Sequence, residues 1–201
     1  LIFETAQKIN PKDARTLYSL GNFWYAHHRY DEAIECWEKS ALLDSAFPTV
    51  QRNLGLAYFN KRGEPKKALA AYEKAFDLDG QNAQLFFELD QLYKRLNWTP
   101  KKRLQILTQH LDLVSERDDL SIEYIALLNR LDRPDEAYAR IMERNFHPWE
   151  GGEGKVTGQY VASLVESARL LIAKGQFEEA IKKLKQAQVY PDNLGEGKLF
   201  G

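Results

Sequence analysis

The sequence predicts an all-α chain, a solenoid of about five helical hairpins stacked in order and preceded by a partial N-terminal helix. Three observations predict it. A small residue followed four positions later by a large apolar one recurs as Ala33/Trp37, Ala68/Tyr72, Ala137/Ile141 and Ala180/Leu184, with a poorer fit at Arg103/Leu107. The first members of these pairs lie 35, 35, 34 and 43 residues apart, so one structural unit is written repeatedly. Prolines and pairs of acids fall where helices should begin, and no strand-like alternation competes.

Each element has its own signal. Phe3, Ala6 and Pro11 read as the second half of a hairpin whose first helix is missing. Helices follow near 13–27 and 30–43, the first carrying Leu20-Gly21 ahead of Trp24, the second opening on Asp31-Glu32, whose carboxylates suit a positive helix end. The pair near 47–61 and 64–77 repeats this with Leu54-Gly55 and Tyr58, prolines 48 and 65 at the entrances, and Gly63 in the turn. Near 81–95 and 100–115 the spacing persists as Leu89-Asp90 and Tyr93 without the glycine. Arg103 and His110 occupy positions where small residues are expected, so that second helix should rotate or pack more loosely around Leu104, Leu107, Leu111 and Val114. Helices near 118–130 and 134–145 use Pro134 and Asp135-Glu136; those near 157–174 and 177–189 use Gly175 and Glu178-Glu179. Small residues such as Gly21, Gly55, Ala33 and Ala68 let paired helices approach, and Trp24, Tyr58, Trp37 and Tyr72 fill the gaps.

These residues resemble the tetratricopeptide repeat, whose pattern is Trp-x₂-Leu-Gly-x₂-Tyr, then Ala-x₃-Phe, then Pro. The resembling segments are 14–47, 48–82, 83–117, 118–151 and 161–194, in one solenoid domain covering 1–201. The resemblance implies a right-handed superhelix that binds a protein or peptide on its inner face. A narrower resemblance rests on 52–61, on 89–95, and on the loop 146–154 with Val156-Thr157-Gly158-Gln159-Tyr160. These look like bacterial proteins of the DUF5107 type, which implies a β-rich domain ahead of a long repeat array and a connection to carbohydrate metabolism. The opening on Leu1-Ile2-Phe3 without an initiator Met gives the expectation of a piece of a longer protein.

Composition narrows the function classes. Of 201 residues, 44% are hydrophobic and 28% charged, which excludes disordered and collagen-like chains. Lys+Arg 28 against Asp+Glu 29 gives a net charge of −1, so no broad footprint for nucleic acid is expected. The clusters Lys66-Lys67, Lys101-Lys102-Arg103 and Lys182-Lys183 each have acidic neighbours and read as solvated surface. No apolar run reaches the roughly 18 residues of a membrane helix, and no secretory leader is visible. With the lone Cys36, this makes a cytoplasmic location the expectation.

Catalytic and cofactor signals are weak. His27-His28 point in different directions, and His110 and His147 lie on other repeats, so no metal set converges. Cys36, mid-helix beside Trp37, reads as an inert thiol. Gly151-Gly152-Glu153-Gly154-Lys155 has the glycines of a phosphate loop without its spacing or preceding strand, so no cofactor is expected. The nine extra residues fall in an inserted loop, 145–157, with a second Gly-Glu-Gly-Lys at 195–198 that helical packing does not call for. The loop offers His147, Trp149, Glu150 and Glu153 as candidates; either Phe146 and Trp149 plug a seam, or the loop touches a ligand. A glycosidase reading of Glu150 and Glu153 needs carboxylates about 5 to 9 Å apart.

The first helix of each hairpin lines the inner face in tetratricopeptide arrays. Its inward positions here are Arg15, Tyr18, Asn22 and Tyr25, then Thr49, Arg52, Leu56 and Phe59, then Gln84, Phe87, Gln91 and Lys94. Aromatics, amides and a few cations suit an extended peptide or a polar chain such as a sugar. Tyr18 and Phe87 stand where a carboxylate clamp for chaperone tails needs lysines. The expected function is therefore a non-catalytic interaction module that binds a peptide segment, or a neighbouring domain of the same chain, on this inner face. The alternative is an accessory part of a carbohydrate-processing protein, with the 146–155 loop completing a site on a separate N-terminal domain.

Overall fold

The computed structural model describes residues 12–147 and 151–196. The chain divides into two compact units, Leu1–Leu96 and Asn97–Gly201, and each is described by itself. Among the described residues every regular element is a helix, as the all-α solenoid class requires. The expected partial helix with Phe3, Ala6 and Pro11 lies outside the described residues.

In the first unit, α1 (Ala14–Ala26) and α2 (Tyr30–Leu43) form one hairpin. The next is α3 (Pro48–Ala57), running on into a π-helical turn at Tyr58–Arg62, with α4 (Pro65–Leu78); α5 (Ala83–Arg95) follows. Asp13 caps α1 by accepting from the Arg15 and Thr16 amides, and Asn82 caps α5 by accepting from Leu85. Pro48 and Pro65 stand in the first helical turns, where a missing N–H is harmless.

Close approach within the hairpins is literal. A methyl group added at Gly21 would fall 2.4 Å from Trp37 Nε1, and one at Gly55 2.5 Å from the Tyr72 ring. Ala33 and Ala68 are fully buried beside those rings. Trp24 departs from the expectation of a core filler: it is half-buried, with the Arg29 guanidinium 4.4 Å from its ring centre. Successive hairpins stack, α2 on α3 and α4 on α5.

The second unit contains α6 (Pro100–Thr108), α7 (Leu111–Glu116), α8 (Asp118–Arg130) and α9 (Pro134–Met142). It continues with α10 (Lys155–Ala173), α11 (Phe177–Gln186) and a short 3₁₀ turn, Asp192–Leu194. The single helix expected at 100–115 is interrupted at Gln109–His110. The break re-phases the chain: Leu104 and Leu107 are buried before it and Leu113 after it, and one uninterrupted helix would turn Leu113 nearly half a turn away from that pair. Arg103 is 4% exposed and its charge is met by Glu123, 3.0 Å away.

The inserted loop is shorter than expected. Residues 155–157 are the first turn of α10, so the loop closes at Gly154. The reason is the segment beyond α11, which returns to it. Asn193 donates to the carbonyls of Ile141 and Arg144, and its own carbonyl accepts from the Phe146 amide at 2.8 Å. Glu196 then accepts from the Gly154 and Thr157 amides and the Thr157 hydroxyl, meeting donors that a helix start otherwise leaves orphaned. Gly195, at φ 70°, presses so close to the Phe146 carbonyl that a side chain is barred. Gly195 and Glu196 thus serve helix packing, contrary to expectation.

One backbone feature recurs just beyond α1, the π-helical turn, α5, α8 and α10. His28, Gly63, Asn97, Asp132 and Gly175 all take left-handed φ between 57° and 75°. Their intervals, 35, 34, 35 and 43 residues, reproduce the sequence period, although only two of the five are glycine.

Candidate functional site

The inward positions expected on α1, α3 and α5 form a face of the first unit, and the structure joins them unequally. The Tyr18 ring lies 5.0 Å from Phe47. Asn22 Oδ1 accepts from Trp37 Nε1 and from Asn53 Nδ2, each at 3.2 Å, so one amide ties two hairpins together. Tyr25 belongs to an aromatic cluster with Tyr30 and Trp37, and the Lys61 ammonium sits 4.1 Å from the Tyr30 ring centre. Arg15, Thr49, Gln84 and Lys94 are exposed.

Leu56, Phe59, Phe87 and Gln91 converge on one cleft of about 250 Å³, joined by Glu88 and Arg95. Its walls are apolar, and Leu56 is 37% exposed at its edge. The Arg95 guanidinium lies 5.6 Å from the Phe59 ring centre. At the base, Arg52 grips Glu88 with both arms of its guanidinium, Nε donating to Oε2 at 2.6 Å and Nη2 to Oε1. Gln84 Nε2 also donates to Glu88, at 2.9 Å. Burial pushes the Glu88 carboxyl pKa up, but the bonds from Arg52 and Gln84 and the Arg52 charge outweigh it, leaving it below the ordinary value of 4.5. The Arg52 pKa is raised, chiefly by its bond to Glu88. Gln91 Nε2 is buried in this cleft and has no hydrogen-bond partner. A buried amide donor without an acceptor costs about 1–3 kcal/mol.

Glu88, Arg95 and Asn53 were not singled out by the sequence pattern. Arg52 and Glu88 carried a faint signal: opposite charges about one repeat period apart on successive first helices. Asn53 lies beside an inward position rather than on it, and only the packing of α3 against α1 brings it to Asn22.

Of the loop candidates, His147 and Glu153 fall within the described residues. The His147 amide donates to Asp118 Oδ2 at 2.8 Å, and its exposed ring reaches the same carboxylate at 3.4 Å. Glu153 is exposed and accepts from the Gly151 amide within its own loop. Phe146 is buried and plugs the seam, with Arg144 5.0 Å over its ring. Trp149 and Glu150 lie outside the described residues. Among the described residues no cluster of His, Cys, Asp and Glu has metal-holding geometry, and no helix is long and apolar enough to cross a membrane. Cys36 is buried, which pushes its thiol pKa up and keeps it protonated.

Comparison with known proteins agrees with this architecture. Residues 14–47 and 53–82 each match the tetratricopeptide repeat, so the first two hairpins are repeats of that type. These matches do not reach the DUF5107-type resemblance. YrrB, a TPR protein with an unusual peptide-binding site, is similar in structure with a TM-score of 0.63 at 22% identity, over 92% of this chain and 90% of that one. The MamA protein is similar with a TM-score of 0.58 at 17% identity, over 87% and 89%. A chain from the structure of Naa15/Naa10 bound to HypK-THB gives 0.61 at 16% identity, over 91% of this chain and 27% of that one.

Proposed function

We propose that this chain, a carrier of tetratricopeptide repeats, is a non-catalytic interaction module that binds an extended peptide across α1, α3 and α5. The observation that carries the reading is the unpartnered Gln91 Nε2 in an apolar cleft. With the Gln91 amide turned into the cleft, a peptide carbonyl would satisfy that donor, while an apolar side chain fills the space between Leu56, Phe59 and Phe87. The Arg52–Glu88 pair fixes α3 against α5 and so holds the width of the cleft. The peptide-binding site of the structurally similar YrrB supports the reading at the level of fold.

The test is selection of binders from a random-peptide phage library, with affinities measured by calorimetry. Phe87→Ala and Gln91→Leu should each weaken the strongest binder by about 1–2 kcal/mol, roughly five- to thirty-fold. Gln91→Leu should leave stability unchanged or raised, because it removes an orphan donor. Selection of no binder, or of binders indifferent to both substitutions, removes the groove from the function.

A further inference from the structure

The last hairpin turns outward the apolar side chains that its predecessors bury. In the frame set by Ala33, Ala68, Ala137 and Ala180, Leu184 stands where Trp37, Tyr72 and Ile141 stand, and Ile181 where Ile34 stands. Trp37, Tyr72, Ile141 and Ile34 are 2%, 5%, 0% and 0% exposed, against 39% for Leu184 and 51% for Ile181. Phe177, one turn earlier, is 58% exposed, and Ala180 is the buried residue of α11. Helices α2, α4 and α9 are each packed by the helix that follows them, α3, α5 and α10. After α11 the chain instead turns back to Phe146 and Gly154.

Phe177, Ile181 and Leu184 recur at spacings of four and three, the alternation of a seam between two helices. Glu178 and Lys185 are both exposed and lie seven residues apart, which puts them on one flank of that ridge. Lys183 is turned the other way, toward Asp135 at 3.8 Å and the Tyr138 ring at 5.2 Å. When two copies of such a helix pack antiparallel about a two-fold axis, each flank meets its own copy. Glu178 then falls opposite the partner's Lys185, and the pair occurs twice. Parallel packing would set Glu178 against the opposite flank, where Ala180 and Ala187 stand. We propose that α11 is a self-association surface whose partner is a second copy of this chain, joined by antiparallel α11 helices.

Light scattering coupled to size exclusion tests this on the 201-residue chain, from about 5 µM to about 500 µM, the range of a small transient interface. The mass should rise from 23.3 kDa toward twice that value with concentration. Ile181→Asp should weaken the dimer at least tenfold, with circular dichroism unchanged because the residue is exposed. Lys185→Glu should weaken it about three- to tenfold, and adding Glu178→Lys to it should restore assembly. A single mass of 23.3 kDa throughout overturns the proposal, as does a dimer indifferent to Ile181→Asp. So does a dimer that the double charge reversal leaves no better than Lys185→Glu alone.

Discussion

Replacing glycine by alanine should have opposite signs at two helical positions of this chain. At Gly21 the new methyl would sit 2.4 Å from Trp37 Nε1 and 2.5 Å from Cδ1, against an ordinary contact of about 3.5 Å. Relief needs a shift of about 1 Å in an indole that is 2% exposed, and overpacking of that kind costs about 1–3 kcal/mol. Moving the ring also strains the Nε1 bonds to the Tyr18 carbonyl and Asn22, worth about 1 kcal/mol. Alanine's better helix propensity returns about 1 kcal/mol, leaving Gly21→Ala destabilised by about 1–3 kcal/mol. At Gly158, inside α10, nothing lies within 4 Å of the added carbon, so the propensity stands alone and should stabilise by about 0.5–1 kcal/mol. Urea unfolding followed by circular dichroism reads both. With a slope of about 1–3 kcal/mol per molar, Gly21→Ala should lower the midpoint by about 1 M and Gly158→Ala should raise it slightly. Gly55→Ala, 2.5 Å from the Tyr72 ring, should behave like Gly21→Ala. Equal midpoint shifts at Gly21 and Gly158 would refute the view that these hairpins are held at glycine-only separation.

Glu88→Gln should cost about 1–2 kcal/mol at neutral pH, discounted for an Arg52 side chain that is 40% exposed. Because the folded carboxyl has a pKa below 4.5, its contribution is complete above that pH and fades as pH falls through the folded value. Urea midpoints of wild type and Glu88→Gln should therefore converge as pH drops from about 7 to about 3; a constant gap would mean the carboxylate charge is not what stabilises α3 on α5. Glu196→Ala should cost about 1 kcal/mol through the lost cap, and amide exchange at Gly154 and Thr157 should accelerate while α8 stays protected. Unchanged exchange at both amides would show that α10 starts without help from the returning segment.

Much of the helical plan was legible because it is local and periodic. Pro48, Pro65, Pro100 and Pro134 mark helix starts through their own missing N–H, and Gly21 with Ala33 announces a close crossing before the partner ring is known. The interruption at Gln109–His110 was not legible, since it goes with the burial of Leu113, which the uninterrupted stripe leaves outside the core, and not with any breaker residue. The use of Glu196 and Asn193 was hidden for a related reason. Their partners lie about forty to fifty residues upstream, and no short-range pattern records such a bond. The cleft was half legible: the stride of the first helices put Leu56, Phe59, Phe87 and Gln91 on one side, but Glu88 follows from charge pairing between successive helices.

The left-handed corners at His28, Gly63, Asn97, Asp132 and Gly175 keep time better than any letter of the alphabet does. What the chain repeats there is an angle, and histidine, asparagine, aspartate and glycine are interchangeable means of reaching it. Drift at these corners is therefore quiet as long as the torsion survives, whereas a valine or isoleucine would stop the beat. The longer last interval shows that extra length can be absorbed between corners without shifting the corner itself. Kinship among such units is recorded in torsions after spelling has faded.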